Sequence, residues 1–267
     1  PEARQDGGME FDDLHNQGSR IMPQFFVDKK ITPPCEIELI GSDAHHIGNV
    51  LRLKAGDWIQ ISDGLGNSFK ADIERTSSKS VKISVKSAIQ KAARAEPPVL
   101  ALSIFKSEKF EIALQKTVEL GCRRIIPVKC ERSLPHLAKS SASKNERWNK
   151  IAIAAAKQSG LPFIPCVEKM LSFEALCDTE MKDENRAMLY EGKAVMTLPE
   201  YFKSSKKNSG HLLLIGPEGG FSSEEVEMAS RSGISTVSLG PQILRVETAA
   251  IAAVTIWQYE LGNMKGS

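Results

Sequence analysis

The sequence predicts an α/β protein in two parts, a small β-rich barrel followed by a larger parallel sheet covered by helices. Three observations predict it. Near the C-terminus, two short runs (212–215, LLLI; 236–239, TVSL) end in Gly-Pro breaks and are each followed by a helical stretch. That rhythm calls for a parallel sheet with crossover helices. Upstream, an apolar run at 99–105 and a strand-like segment at 123–128 flank a stretch with Phe110, Leu114 and Val118 at four-residue spacing, so strand, helix and strand alternate there too. Before residue 91, in contrast, segments 35–40 and 81–86 alternate apolar and polar residues, as half-buried strands do.

The chain has 267 residues, 41% of them hydrophobic, as in ordinary globular proteins. No apolar run approaches the ~20 residues of a membrane span, so no membrane partner is expected. Residues 1–21 are polar, lack an apolar signal core and are expected to be a vector-derived leader, disordered and outside the fold. They carry Arg4 and Arg20 against Glu2, Asp6, Glu10, Asp12 and Asp13, a net of −3, so the chain's +2 becomes +5 from Met22 onward. This mild basic excess is compatible with nucleic acid without requiring it. The five cysteines (Cys35, Cys122, Cys130, Cys166, Cys177) are odd in number and form no CxxC. They read as reduced thiols of a cytoplasmic protein, and no metal is expected.

Residues 22–91 form the first expected domain. Segments 58–62 and 69–73 flank a glycine-rich turn at 63–67 and so read as a hairpin. Ser42 or Asp43 is expected to cap a short helix through His45, His46 and Val50. Small, strand-rich units closed by hairpins are most simply barrels. Arg52 and Lys54 alternate with Leu51 and Leu53, which directs both cations to one face, where they either contact phosphates or are solvated. Residues 92–98 are the expected linker, stiffened by Pro97 and Pro98.

The second domain is expected over 99–267. Ser107 is expected to cap its first helix, which Gly121 ends. Ser143 and Glu146 have capping-box spacing and predict a helix to about residue 159. Its apolar stripe is Trp148, Ile151, Ala152 and Ala155, and Arg147, Lys150 and Lys157 lie on another face. Segment 186–191 reads as a strand ending in the carboxylate of Glu191, and 199–210 as an exposed connection. The run 212–215 is expected to be covered on both sheet faces. Ser222 and Glu225 form a capping box for a helix that Gly233 stops. The last helix, from about Glu247 to Leu261, has almost no polar face and is expected to be buried nearly all round.

Strand ends followed by glycine loops mark the edge of an α/β sheet where ligands bind. The loop at 216–220 lacks both GxGxxG and GxxxxGK[ST] spacing and carries Glu218, which would repel phosphate. It suits a ligand with hydroxyls, an adenine edge and positive charge; the other reading is a tight turn with no ligand. Arg245 and Glu247, between the last strand and helix, read as a charged pair at a buried junction, either functional or a structural ion pair.

The stretches 215–221 (IGPEGGF) and 239–249 (LGPQILRVETA) resemble the bacterial 16S rRNA uridine-N3 methyltransferase family (RsmE-like), of the SPOUT class. The resemblance runs upstream through 115–121 (QKTVELG), 131–133 (ERS), 146–148 (ERW), His46 and 50–56 (VLRLKAG), and so covers Met22 to the end. Gln242 stands where many relatives carry Arg, and so does Leu161.

The resemblance implies an N-terminal PUA-like RNA-binding barrel and a C-terminal SPOUT domain with a trefoil-knotted parallel sheet, the segment 239–247 being threaded through a loop. It implies homodimers, with the last helix as the natural interface. The implied reaction is methyl transfer from S-adenosylmethionine to N3 of uridine 1498 in 16S rRNA of the assembled small subunit. The cofactor would be held by Leu214, Ile215, Gly216, Pro217, Glu218, Gly219 and Gly220 on one side. Leu239, Gly240, Ile243 and Leu244 would hold it on the other. Arg245 would carry an electrostatic role or grip RNA, with Glu247 orienting it, while Glu218 and Glu191 are candidates for the base or for cofactor contacts. Arg52, Lys54, Arg132, Ser133, Arg147 and Lys150 are the expected RNA contacts. A methyltransferase for another RNA base, a non-catalytic RNA-binding factor on the same frame, and a nucleotide-binding enzyme remain as other readings.

Overall fold

The computed structural model describes residues 24–27, 29–77, 79–89, 95–134, 142–179, 185–193, 196–206 and 209–264. The expected leader lies outside the described residues, as do 92–94 of the expected linker; 95–98 have no regular secondary structure.

The N-terminal part contains β1 (Gln24–Phe26), β2 (Cys35–Ile40), α1 (Gly41–His45) running into a π-helical turn (His46–Val50), β3 (Trp58–Ser62), β4 (Ser68–Thr76) and β5 (Ser80–Ile89). The strands form a curled five-stranded sheet in the order β1-β3-β4-β5-β2. Register shifts in β4 at Lys70/Ala71 and Ile73/Arg75 supply curl, since an extra residue on one strand bends the ladder. Alternation decides which side is inside: Ile37, Leu39, Val81, Ile83 and Val85 are buried in one core with Ile59 and Ile61.

The hairpin turn between β3 and β4 does more than reverse the chain. Gly66 N donates to Pro162 O at 2.9 Å and Ile164 N to Gly64 O at 3.0 Å, fastening the first part to the second. Gly64 has φ +70°, and a Cβ there would come within 2.7 Å of Ile164. Glycine is required by both the conformation and the close approach. Lys157 adds an ion pair to Asp43 at 3.0 Å across the same junction.

The C-terminal part runs β6 (Val99–Ser103), α2 (Ser107–Glu119), β7 (Arg124–Lys129), α3 (Ala142–Ser159), β8 (Cys166–Val167), β9 (Leu171–Ser172), α4 (Phe173–Cys177), β10 (Asn185–Leu189), β11 (Met196–Thr197), α5 (Leu198–Ser204), β12 (His211–Ile215), α6 (Ser223–Arg231), β13 (Ser235–Ser238) and α7 (Val246–Glu260). Its eight-stranded sheet has the order β11-β13-β10-β12-β6-β7-β8, with β9 also on β7, and every pairing is parallel. The expected two-sided burial of 212–215 is observed. Leu213 and Ile215 enter a core with α2, α3 and α7, while Leu212 and Leu214 enter another with α4 and α6.

Several local expectations differ. Lys106, not Ser107, is the residue preceding α2, and it makes no side-chain cap. Ser143 lies inside α3, which begins at Ala142, and Glu146 pairs with Lys150 at 2.7 Å. Part of the expected exposed connection is α5, whose Tyr201 is buried against Trp257. The last helix buries one face through Val246, Ala250, Ala253, Val254, Trp257 and Gln258, while Ala249, Ile251, Ala252, Thr255 and Ile256 are only half-buried. The box at Ser222 and Glu225 forms as expected, with Ser222 N donating to Glu225 Oε2 at 3.0 Å and Glu225 N to Ser222 Oγ at 3.2 Å.

Candidate active site

Three neighbouring strands, β13, β10 and β12, end at one level, because Leu189 is in register with both Ile215 and Val237. Past those ends lies a cavity of ≈ 480 Å³. Tyr190 and Glu191 follow β10, Gly216, Pro217, Glu218 and Gly220 follow β12, and Leu239, Gly240, Ile243, Leu244 and Arg245 follow β13; all line it. Glu247 closes it from the first turn of α7 and Lys109 from the first turn of α2.

The glycine loop is tightly held. Gly220, at φ +68°, donates its N–H to Pro217 O at 2.9 Å, and a Cβ there would run into the Glu191 carboxylate. Arg132 Nη1 donates to Gly219 O at 3.0 Å from the outside. Buried Glu225 caps α6 and also accepts from Glu131 N at 2.8 Å, so one carboxylate joins the helix after the loop to the turn carrying Arg132. Burial first, with Glu225 nearby, pushes the Cys130 thiol in that turn far above its ordinary range, which keeps it a neutral packing residue.

The electrostatics differ from the expected pairing. Arg245 is exposed and forms no ion pair among the described residues. Glu247 meets Lys109 instead, with Nζ 4.0 Å from Oε1, and the same ammonium is 3.0 Å from Glu218 Oε1. Glu247 Oε2 is buried and has no hydrogen-bond partner among the described residues. The reason is geometric: Arg245 is the residue preceding α7, still extended, whereas Glu247 sits in the first helical turn and faces α2.

Two expected cofactor contacts lie elsewhere. Leu214 belongs to the core on the opposite sheet face, because successive strand residues point to opposite sides and Ile215 faces the cavity. Gly219 is covered by Arg132 rather than lining the cavity. Among the expected RNA contacts, Arg52 and Lys54 are exposed together while Leu51 and Leu53 pack on the barrel core. Arg52 takes a left-handed φ of +55° to do so. Ser133 is buried and its Oγ accepts from Cys130 N at 3.1 Å, so it closes a turn instead of facing solvent. Arg147 pairs with Glu111 at 2.8 Å and Lys150 with Glu146 at 2.7 Å. Leu161 is buried.

Sequence reasoning missed Lys109, Tyr190 and Ser238 in the lining. A signal for Lys109 existed. It follows a strand of the same parallel sheet, and the helix after such a strand starts on the ligand-binding edge.

Residues 93–258 match the family described as RNA methyltransferase domain, and residues 39–86 the one described as RNA methyltransferase PUA domain. Over 256 residues the chain is 31% identical to Ribosomal RNA small subunit methyltransferase E of Bacillus subtilis (strain 168), covering 92% of this chain and 99% of that one. A crystal structure of a Ribosomal RNA small subunit methyltransferase E from Neisseria gonorrhoeae, bound to S-adenosyl methionine, superposes with a TM-score of 0.79 at 26% identity, covering 89% of this chain and 97% of that one. A putative methyltransferase from Legionella pneumophila, solved with the bound cofactor SAM, gives a TM-score of 0.75 at 30% identity over 89% and 97% of the two chains.

Proposed function

Because this chain belongs to the ribosomal RNA small subunit methyltransferase E family, we propose that it methylates N3 of a single uridine of 16S rRNA, uridine 1498, in the assembled small subunit. The chain is an RNA methyltransferase, and S-adenosylmethionine is its cofactor. One observation carries the reading: both Gly-Pro loops and the end of β10 converge on one cavity at the ligand-binding edge of the parallel sheet.

The cavity fits such a cofactor. Its ≈ 480 Å³ lies within the ~300–1,000 Å³ of small-molecule sites, and it offers bare loop backbone. Glu247 Oε2, buried and unpartnered, is an acceptor that a ligand with amino or hydroxyl donors would satisfy. The backbone of 216–220 and 239–244 would hold the nucleoside, with Ile215 and Leu244 against its apolar parts. When bound, S-adenosylmethionine supplies an electrophilic methyl group.

Uracil N3 is an imide N–H whose lone pair is delocalised, and it attacks well only as its proton leaves. Arg245, exposed at the cavity wall and free of Glu247, is placed to stabilise the developing uracil anion. Glu191 lines the cavity, is exposed and pairs with no cation among the described residues, so we assign it the proton. Glu218 is held by Lys109 and serves the cofactor wall. Arg52, Lys54 and Arg132 contact RNA phosphates.

The same reading includes domains at 22–91 and 99–267 joined by 92–98, and a knot. β13 lies between β10 and β11, which precede it in the chain, and this insertion supports threading of 239–247 beneath their connection. It includes a homodimer through α7 and the adjoining loop, supported by Ile243 at 86% and Tyr259 at 69% exposure. The same reading assigns the protein to the cytoplasm, where it would meet its ribosomal substrate; its five cysteines are free.

Incubation with labelled S-adenosylmethionine and undermethylated 30S subunits, followed by nucleoside analysis, tests the proposal. Label in 3-methyluridine is the expected result. Label on another base keeps the enzyme class and overturns the substrate.

A further inference from the structure

Lys109 belongs to none of the sequence motifs that mark the cavity, and its place in α2 is unfavourable for the helix itself. A cation in a first turn faces the positive end of the macrodipole. What surrounds its ammonium is therefore informative. Glu218 Oε1, from the glycine loop, lies at 3.0 Å and Glu247 Oε1, from the first turn of α7, at 4.0 Å. Those distances bound the separation of the two carboxylate oxygens at 7.0 Å. No other ion pair reaches either carboxylate among the described residues. Among the described residues Glu247 also has its second oxygen buried without a partner, and Lys109 is the one cation there offsetting its partly buried negative charge.

Three elements far apart in the chain thus meet at one nitrogen, and two of them are opposite walls of the cavity. Without the ammonium, two carboxylates of like charge would face each other across a partly desolvated space, and they would separate or rearrange. We propose that Lys109 is a positioning residue of the methyl-donor pocket, drawing Glu218 and Glu247 onto α2 and so setting the spacing between the glycine loop and the start of α7. The proposal rests on the reading of this cavity as the S-adenosylmethionine site. It assigns Lys109 no contact with the reacting atoms.

The test is calorimetric binding of S-adenosylmethionine to the full chain and its variants, with thermal melting of each. Lys109→Met keeps the aliphatic stem and removes the charge. It should weaken cofactor binding about 10-fold or more, the rough scale for stranding a partly buried charge. Lys109→Arg should restore binding to within about threefold, since a guanidinium can reach two carboxylates. Lys109→Met combined with Glu218→Gln should bind more tightly than Lys109→Met alone, because the like-charge repulsion is gone. A general packing defect would be rescued by neither change. Wild-type affinity in Lys109→Met overturns the role of Lys109 and leaves the pocket assignment standing. Failure of the wild-type chain to bind S-adenosylmethionine overturns the pocket assignment and this proposal with it. Should Lys109→Met not fold, the double variant and Lys109→Arg decide: weak binding by both sinks the proposal, and recovered binding by both supports it.

Discussion

The two glycine-bearing walls of the cavity are built in opposite ways. The loop at 216–220 is braced from every side. The Phe221 ring lies 2.8 Å from where a Cβ on Gly216 would be, Arg132 holds Gly219 O, Lys109 holds Glu218, and Glu225 ties the following helix to the turn at 130–133. The wall at 239–245 has few such ties. Its Ser238 hydroxyl accepts from Gly240 N at 3.1 Å, but Pro241, Gln242, Ile243 and Arg245 are exposed. A braced wall presents backbone groups at fixed positions, as preorganised recognition of a cofactor requires. An exposed apolar wall is complete only when another surface covers it. One wall is thus braced within the chain, and the other is exposed, the one that the proposed reading covers with RNA or a second copy.

The largest effect expected from breaking this contrast comes from Glu225. Its carboxylate receives two backbone N–H groups at separate elements, so Glu225→Ala orphans Glu131 N and Ser222 N at once. Loss of a cap and of a buried acceptor together should cost about 2–4 kcal/mol of stability, read from urea unfolding. A loss below 1 kcal/mol would mean that the loop is braced mainly by Arg132 and Phe221.

Arg245→Ala probes the other wall. Because the guanidinium is exposed and in no ion pair among the described residues, the melting temperature and cofactor affinity should stay near wild type. Single-turnover methyl transfer should fall by about 10²-fold, near the scale for losing one group aimed at developing charge. An unchanged rate would remove Arg245 from the chemistry and leave Glu191 and Arg132 as the charged groups to examine.

Arg132→Ala removes the outer brace of Gly219 and a candidate phosphate contact. Cofactor binding should weaken by about 0.5–1.5 kcal/mol, the net worth of one hydrogen bond. The log–log salt slope of RNA binding should fall by about 0.7–0.9. A changed salt slope with unchanged cofactor affinity would assign Arg132 to RNA alone. The smallest effect on stability is expected at Ile243. At 86% exposure, Ile243→Ser should shift unfolding by no more than about 0.5 kcal/mol. Sedimentation should nonetheless show a weaker dimer, and an unaltered association constant would move the interface off this loop.

What the sequence determined by itself is the placement of elements and their buried faces. The break at Gly216-Pro217, the Ser222 and Glu225 capping box and the continuous apolar run Leu212 to Ile215 act within a few residues, so the chain fixes them wherever the remainder goes. Both cavity loops were legible for the same reason. The partners of charged side chains were not. Glu247 is two residues from Arg245 in sequence but bonds across the molecule to Lys109, because a helix turn rotates it toward α2 while Arg245 remains extended. The stripe of Arg147, Lys150 and Lys157 looked free along one helix, yet its cations find Glu111, Glu146 and Asp43, two of them on other elements. Helical periodicity says which face a charge occupies. Only tertiary packing decides what stands opposite, because that neighbour is set by how distant strands order themselves in the sheet.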